Sequence, residues 1–395
     1  MTLGAASHYD VLVVGAGAAG LMAGWEAAKR GRRVLVADHA KTPGEKIRIS
    51  GGGRCNFTNL HASPEFFLSQ NPHFCRSALS RYTQWDFVAE IEAAGIAYHE
   101  KTLGQLFCDS SAKQVVAMLT DGARAAGAEL RLGASATIPE RTGDGFALDV
   151  GGQAVRTRSV VVATGGKSIP KMGATGWGYD VARAFRLGVT ETRPALVPLT
   201  LDEAAKDAFK SLVGVAVPAR AVHGGASFDE AVLFTHRGLS GPAILQLSSY
   251  WREGQDVSLD LSPGAPVADA LRAARAENGR QTARTALAQL IPKSLAATLT
   301  AGEDRRLAEL SNADLDALAG RVHAFTVRPA GSEGYRTAEV TLGGVDTDDL
   351  DQRTMMARAV PGLHFVGEVV DVTGWLGGYN FQWAWSSGWA AGQAV

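Results

Sequence analysis

Tyr9-Asp10-Val11-Leu12-Val13-Val14-Gly15-Ala16-Gly17-Ala18-Ala19-Gly20 is the stretch whose reading sets the fold. Tyr9–Val14 has the continuous apolar character of a strand covered on both faces, as parallel strands are. The glycines follow at once, in the spacing G-x-G-x-x-G. The first permits a tight turn, the second lets the backbone approach a pyrophosphate, and the third lets helix and strand pack closely. Leu21–Arg30 reads as the helix, stopped by Gly31, and Arg33–Asp38 as a second strand. Asp38 ends that strand, where a carboxylate can accept hydrogen bonds from both hydroxyls of a ribose. The start of the helix offers free N–H groups and a partial positive charge to phosphates. The motif identifies a dinucleotide-binding βαβ unit without choosing between FAD and NAD.

Further along, Thr42–Asn59 reads as a long Gly-rich loop and Tyr82–Ala94 as a helix. Ile96–Glu100 and Gln105–Cys108 form a hairpin, and Ser110 or Ser111 caps a helix that runs to about Ala126. Glu129–Thr137, Phe146–Val150 and Gln153–Arg156 alternate between Gly-rich turns, as an antiparallel meander does. Ser159–Ala163 is a buried strand that enters the small-residue turn Thr164-Gly165-Gly166. Gly362–Val366 is another, running into Gly367-Glu368 and Asp371. An N-terminal βαβ unit, a middle Ala-Thr-Gly strand and a late Gly-Glu strand, in that order, are the layout of two-domain FAD enzymes. Between Glu191 and about Thr341 the texture changes. Three parts follow: 1–190 as the first part of a nucleotide-binding domain, 191–340 as an insert, and 341–395 as the second part. The insert is β-rich over 191–262 and helical over 263–323.

Composition narrows the class. Lys and Arg number 39 against 40 Asp and Glu, and no basic tract occurs, which argues against a dedicated nucleic-acid binder. Cys55, Cys75 and Cys108 are too few for a disulfide framework and lack the CxxC spacing of a zinc site. No apolar run reaches the length of a membrane span, and the N-terminus shows no signal-peptide pattern. The expectation is a cytoplasmic protein acting on a small molecule, with no nucleic acid, no metal and no transmembrane segment. The oligomeric state is left open.

Four motifs resemble the YhiN/BaiN-type (BaiN/RdsA-like) flavoprotein family of NAD(P)/FAD-dependent oxidoreductases. They are Ile49-Ser50-Gly51-Gly52-Gly53-Arg54-Cys55-Asn56-Phe57-Thr58-Asn59; Ala163-Thr164-Gly165-Gly166 with Pro170, Gly173, Gly176 and Gly178-Tyr179; Phe234-Thr235-His236-Arg237-Gly238-Leu239-Ser240-Gly241-Pro242; and Gly374-Trp375-Leu376-Gly377-Gly378-Tyr379-Asn380-Phe381-Gln382. The resemblance spans the chain in order. It implies an α/β fold: a glutathione-reductase-type, Rossmann-like FAD-binding domain interrupted by an insert domain. One departure is Asp38, where such proteins usually carry Glu.

By that resemblance Gly15, Gly17, Ala18, Ala19 and Gly20 hold the pyrophosphate and Asp38 the ribose. Gly51, Gly52, Gly53, Arg54, Cys55 and Asn56 lie along the diphosphate and ribityl chain. Consecutive glycines suit close backbone approach, and Arg54 offsets phosphate charge. Thr164 and Gly165 pass near the adenine end, and Gly367, Glu368 and Asp371 by the ribityl and pyrophosphate. Gly378, Tyr379, Asn380, Phe381 and Gln382 lie by the isoalloxazine, where the start of the last helix could stabilise an anionic reduced ring.

Four features bear on substrate and electrons. His236 and Arg237 stand before a helix start that could receive an anion or a carbonyl, or that simply caps a helix of the insert. Trp375 is a candidate pocket wall, whereas Trp385 and Trp389, four apart, read as core. Cys55 beside Arg54 could be a low-pKa thiol, but it has no paired cysteine for disulfide reduction. No second G-x-G-x-x-G follows a strand, so NAD(P)H would act as a transient donor over noncovalent FAD, or electrons would come from another carrier.

The function implied is flavin-mediated hydride transfer, with NAD(P)H-driven reduction of a conjugated C=C bond in an enone-like substrate. The rivals are a dehydrogenase passing electrons to quinone or a protein acceptor, and a non-catalytic FAD-binding redox sensor. Asp38→Ala is expected to weaken FAD binding, checked by titration, without unfolding the chain, because it removes two ribose hydrogen bonds worth about 1–2 kcal/mol each.

Overall fold

The computed structural model describes residues 6–302 and 304–395. Residues 1–5, part of the N-terminus read above as free of a leader pattern, lie outside them. The chain forms two units. One runs to Arg193 and resumes over Val340–Val395, and the other is Pro194–Glu339.

In the first unit β1 (Ser7–Val14), α1 (Ala18–Lys29) and β2 (Val34–Asp38) form the βαβ core. The sheet order is Glu129–Leu132, β2, β1, Gln153–Val162, all parallel. Leu363–Phe365 pairs in parallel with the end of the long strand Gln153–Val162, while Phe146–Val150 pairs antiparallel with its beginning. Val11–Val14 and Val34–Ala37 are buried throughout, which is why neither strand alternates.

Three sequence expectations change here. Glu129–Leu132 is not in the meander; it is the parallel edge strand beside β2, with Asp38 opposite Leu132. Gln153–Arg156 and Ser159–Ala163 are not two strands but one. Its first half has one solvated face, so Val155 and Thr157 are buried while Ala154 and Arg156 are exposed; its second half, Val160–Val162, is covered on both sides. The change of burial pattern mimics a break in the chain. The expected loop Thr42–Asn59 contains a helix, α2 (Glu45–Gly53), and a strand, Asn56–Asn59, which pairs with Gln105–Cys108.

The terminal helix, Tyr379–Gly392, lies against α1. Gly388 and Gly392 make this approach close. A Cβ on Gly388 would stand 2.5 Å from the Ala19 carbonyl oxygen, and one on Gly392 would stand 2.5 Å from Glu26 Cβ. Trp383 and Trp385 are fully buried. Trp385 stacks on Phe87 at 4.2 Å and donates Nε1–H to the Phe57 carbonyl, 2.8 Å away. This agrees with its reading as core. Trp389 is half-buried and stacks on Tyr82.

The second unit is built on an antiparallel sheet ordered Phe325–Val327, Val257–Asp260, Ala216–His223, Ala226–Phe234, Gly238–Ser240, Leu199–Thr200, Gly331–Ser332. Its central hairpin alternates: Val217, Ala219 and Ala221 are buried between exposed neighbours. The helices Val267–Glu277, Ala283–Leu287, Lys293–Leu299 and Asn312–His323 follow. Among the described residues no helix is long and apolar enough to cross a membrane.

One buried group makes stability pH-dependent. His364, in the strand Leu363–Phe365, is buried with Nδ1 2.9 Å from the Thr354 carbonyl, and burial lowers its pKa to about 4. Its folded pKa lies below its unfolded value, so its contribution is complete above about pH 6.5 and lost as the pH falls towards 4. The wild type is therefore expected to lose about 3 kcal/mol more than His364→Gln over that window, read as urea midpoints at a series of pH values.

Candidate functional site

The β1–α1 turn sits at the C-terminal ends of the parallel strands. Gly15 has φ +112°, donates its N–H to the Ala37 carbonyl (2.8 Å), and leaves no space for a Cβ, which would run into the Ala163 carbonyl. Gly20 also has no space, because a Cβ there would overlap the Gly15 carbonyl. Gly17 differs: its φ is −84° and nothing of the protein lies within 4 Å of a Cβ built on it. The first and third glycines are demanded by protein packing, and the second leaves open space at a helix start that no side chain caps. That is the room an anionic group would take. Ala18 lines the same turn, half-exposed, while Ala19 is buried.

Asp38 reaches back to this turn. Its Oδ2 accepts from the Ala16 N–H at 2.6 Å and its Oδ1 from the Ala40 N–H at 2.8 Å. The carboxylate thus shapes the turn through two backbone hydrogen bonds. Asp38→Ala is then expected to lower fold stability as well, since these two backbone bonds go with the carboxylate.

α2 carries the glycine arm. The Gly44 N–H bonds to the Ala16 carbonyl at 2.8 Å, tying the helix start to the same turn. At Ser50 the chain leaves helical geometry, and Gly51 (φ +56°), Gly52 (φ +66°) and Gly53 (φ +86°) are left-handed. A Cβ on Gly51 would press on the Phe107 ring at 2.7 Å, while Gly52 faces open space. Arg54 is exposed. Cys55 is fully buried, and burial pushes its thiol well up, so it is not a low-pKa thiol. The Asn56 side chain pairs with that of Gln105 at 3.1 Å.

The arm meets the loop before the terminal helix. Gly378 has φ +98° and no room for a Cβ against the Thr58 carbonyl. Asn59 Nδ2 donates to the Gly377 carbonyl at 2.8 Å. Thr58 Oγ1 donates to Gln382 Oε1 at 2.7 Å. The first and last of the four motifs are thereby brought together. Gln382 does not present its amide to a ligand: it is buried, and Nε2 is spent on the Tyr82 carbonyl (3.2 Å) and Ser386 Oγ (3.0 Å). The Asn380 side chain closes the turn at Gly374 and Trp375, accepting at 2.9 Å and donating at 2.8 and 3.3 Å. Trp375 is half-buried, 4.7 Å from the Phe66 ring, and Tyr379 also packs on Phe66. Burial pushes the Tyr379 hydroxyl up to about 12. Phe381 stacks on Trp385 at 5.7 Å.

A third group joins the middle and late strands. Thr164 Oγ1 is buried without a partner, beside a turn in which Gly165 has φ +71°. Gly367, φ +72°, abuts Ala19 and accepts from Trp383 Nε1 at 3.0 Å. Glu368 Oε2 pairs with Lys46 Nζ at 2.7 Å, and Oε1 accepts from Ser168 Oγ (2.8 Å) and the Thr341 N–H (3.0 Å). Asp371 accepts from the Gln70 N–H at 2.9 Å; burial raises its pKa despite that bond. Lys46, Ser168 and Thr341 were not among the residues expected from sequence. Lys46 lies in what reads as a loop, and no local pattern marks it.

His236 and Arg237 belong to the other unit. Both are exposed, on a turn closed by Thr235 Oγ1, and Arg237 pairs with Glu333 at 3.7 Å. Among the described residues no cluster of His, Cys, Asp and Glu could hold a metal ion. The open space at Gly17, the unpartnered Thr164 hydroxyl and the left-handed arm together fit an extended, phosphate-bearing cofactor such as FAD.

Residues 9–394 match the family described as HI0933-like protein Rossmann domain. The chain is 51% identical over 390 residues to the ribosomal RNA dihydrouridine synthase of Escherichia coli (strain K12), covering 98% of each chain. It is 27% identical over 404 residues to the 3-dehydro-bile acid delta(4,6)-reductase of Clostridium scindens, covering 97% of this chain and 98% of that one. Among solved structures, the 3-ketosteroid-delta4-(5alpha)-dehydrogenase of Rhodococcus jostii RHA1 has a TM-score of 0.52 at 15% identity, covering 99% and 98%; this likeness is one of fold.

The glycines separate ligand from packing. Gly17→Ala is expected to leave the melting temperature of the apoprotein unchanged while raising the FAD dissociation constant at least about tenfold. Gly20→Ala is expected to lower the melting temperature itself, measured on the same apoprotein.

Proposed function

This chain belongs to the HI0933-like Rossmann-domain family, a family of FAD-dependent oxidoreductases, and on that premise we propose that it reduces the conjugated C5=C6 bond of uridine in ribosomal RNA. The observation that carries this is 51% identity across 98% of both chains to a ribosomal RNA dihydrouridine synthase. Dihydrouridine is uridine saturated at that bond, which is conjugated with the C4 carbonyl. The chemistry is the enone-type reduction expected from the motifs, on a nucleobase instead of a free small molecule.

The residues divide the work of holding the cofactor. The start of α1 with Gly15, Gly17, Ala18 and Gly20 takes the diphosphate, and Asp38 the ribose. The Gly51–Asn56 arm runs along the diphosphate and ribityl chain, Gly367, Glu368 and Asp371 stand by the ribityl chain and pyrophosphate, and Thr164 and Gly165 pass near the adenine end. Gly378, Tyr379, Asn380 and Phe381 offer backbone N–H groups to the ring from a helix start with no side-chain cap, while Gln382, whose N–H is bound to the Gly378 carbonyl, braces that start from behind. Once reduced by NAD(P)H as a transient donor, bound FAD would supply the hydride to one carbon of the C=C bond, and a proton would complete the other carbon.

A net charge of −1 argued against nucleic acid, but it is an average over the whole chain. Reading one extruded base needs a local surface, not a basic protein. Ribosomal RNA also implies a cytoplasmic site of action, which suits three free, buried cysteines.

A second reading, a small 3-oxo enone as substrate, is favoured by the bile-acid reductase at 27% identity. One anaerobic experiment separates the two. The purified yellow protein is reduced with NADH or NADPH and offered unmodified ribosomal RNA or a 3-oxo-4-ene steroid. The expected result is reoxidation by RNA, with a nucleoside gaining two hydrogens by mass spectrometry. Reoxidation by the steroid alone would overturn the RNA reading.

A further inference from the structure

We propose that Lys46 is a positioning residue of the cofactor cleft: it neutralises and orients Glu368 so that a carboxylate can stand beside the FAD diphosphate. This rests on the FAD reading above. The ammonium of Lys46 lies 2.7 Å from Glu368 Oε2 and 2.5 Å from Ser168 Oγ. Ser168 Oγ and the Thr341 N–H hold the other carboxylate oxygen. Thr341 Oγ1 in turn accepts from the N–H groups of Lys167 (2.8 Å) and Ser168 (3.2 Å). Gly166 makes space for this cluster, since a Cβ there would stand 2.6 Å from Glu368 Oε1. The cluster thereby ties α2, the turn after the long strand, the segment at Thr341 and the Gly367–Glu368 corner to one carboxylate.

The pair is partly shielded, with side chains 33% and 17% exposed for Lys46 and Glu368. An ordinary surface pair would contribute little. Here the surroundings change its meaning. FAD brings two phosphate charges into a cleft whose wall already carries Glu368 and Asp371. An unneutralised Glu368 would repel them, and the repulsion grows where solvent is displaced. Asp371 is answered by the Gln70 N–H. Glu368 is answered by a full positive charge on α2, the helix that also carries the glycine arm.

The test is a charge cycle on the full chain, read as FAD dissociation constants of deflavinated protein by fluorescence titration. Circular dichroism and melting of each apoprotein check folding. Lys46→Met is expected to weaken FAD at least about tenfold, and Lys46→Arg to stay near wild type. The double variant Lys46→Met with Glu368→Gln is expected to recover most of the loss, because the unneutralised carboxylate goes with its partner. If Lys46→Met does not fold, Lys46→Gln carries the same comparison. Wild-type affinity in the folded single variant, or a double variant that binds no better than it, overturns the proposal. Failure of the wild type itself to take up FAD would instead count against the cofactor reading, and the two outcomes are distinct.

Discussion

The closeness of two backbones underlies this structure. Gly15 must lie against the Ala163 carbonyl, and Gly20 against the Gly15 carbonyl, for β1, α1 and the long strand Gln153–Val162 to share one corner. A single Cβ at either place would separate them. Because the corner is tight, the helix start, the Ala163–Thr164 turn and the Gly367–Glu368 corner are held together at one end of the sheet. Gly44 and Asp38 both bond to Ala16 within this corner, so the glycine arm and the second strand take their positions from it. The site is a consequence of how near the chain can come to itself.

Much of this was legible. The spacing of Gly15, Gly17 and Gly20, the apolar run of β1 and the acid at Asp38 are local patterns with one structural meaning. The late Gly-Glu strand and the interrupting insert could be read from texture. What escaped was of another kind. The long strand looked like two because its neighbours change halfway along, and a neighbour is not written in the strand. α2 looked like a loop because its last turn is three left-handed glycines. The amide of Gln382 is consumed by Ser386 one turn on and by Thr58 and Tyr82, at least three hundred positions away, and no local pattern announces those two. Lys46 carried no signal, since its role is defined by Glu368, more than three hundred positions on.

Charge shows the same division between sum and place. The near cancellation of acids and bases describes the chain as a whole and is silent about any one surface. Within the first unit most ion pairs are local, but Lys46 and Glu368 pair across distant segments of the chain. A composition argument is strongest when the property it excludes needs the whole surface. It is weak against a function that needs one pocket and a few contacts around it.

The packing of the terminal helix on α1 has a consequence for how the protein is made. Arg30, at the end of α1, donates to the carbonyl of Gly392, 362 residues later. α1 therefore waits, its small-residue face uncovered, until the terminal helix has also been translated. The first unit can close only after the whole of the intervening second unit has been made. In that interval the nascent βαβ segment exposes apolar surface, the condition that invites aggregation and engages chaperones.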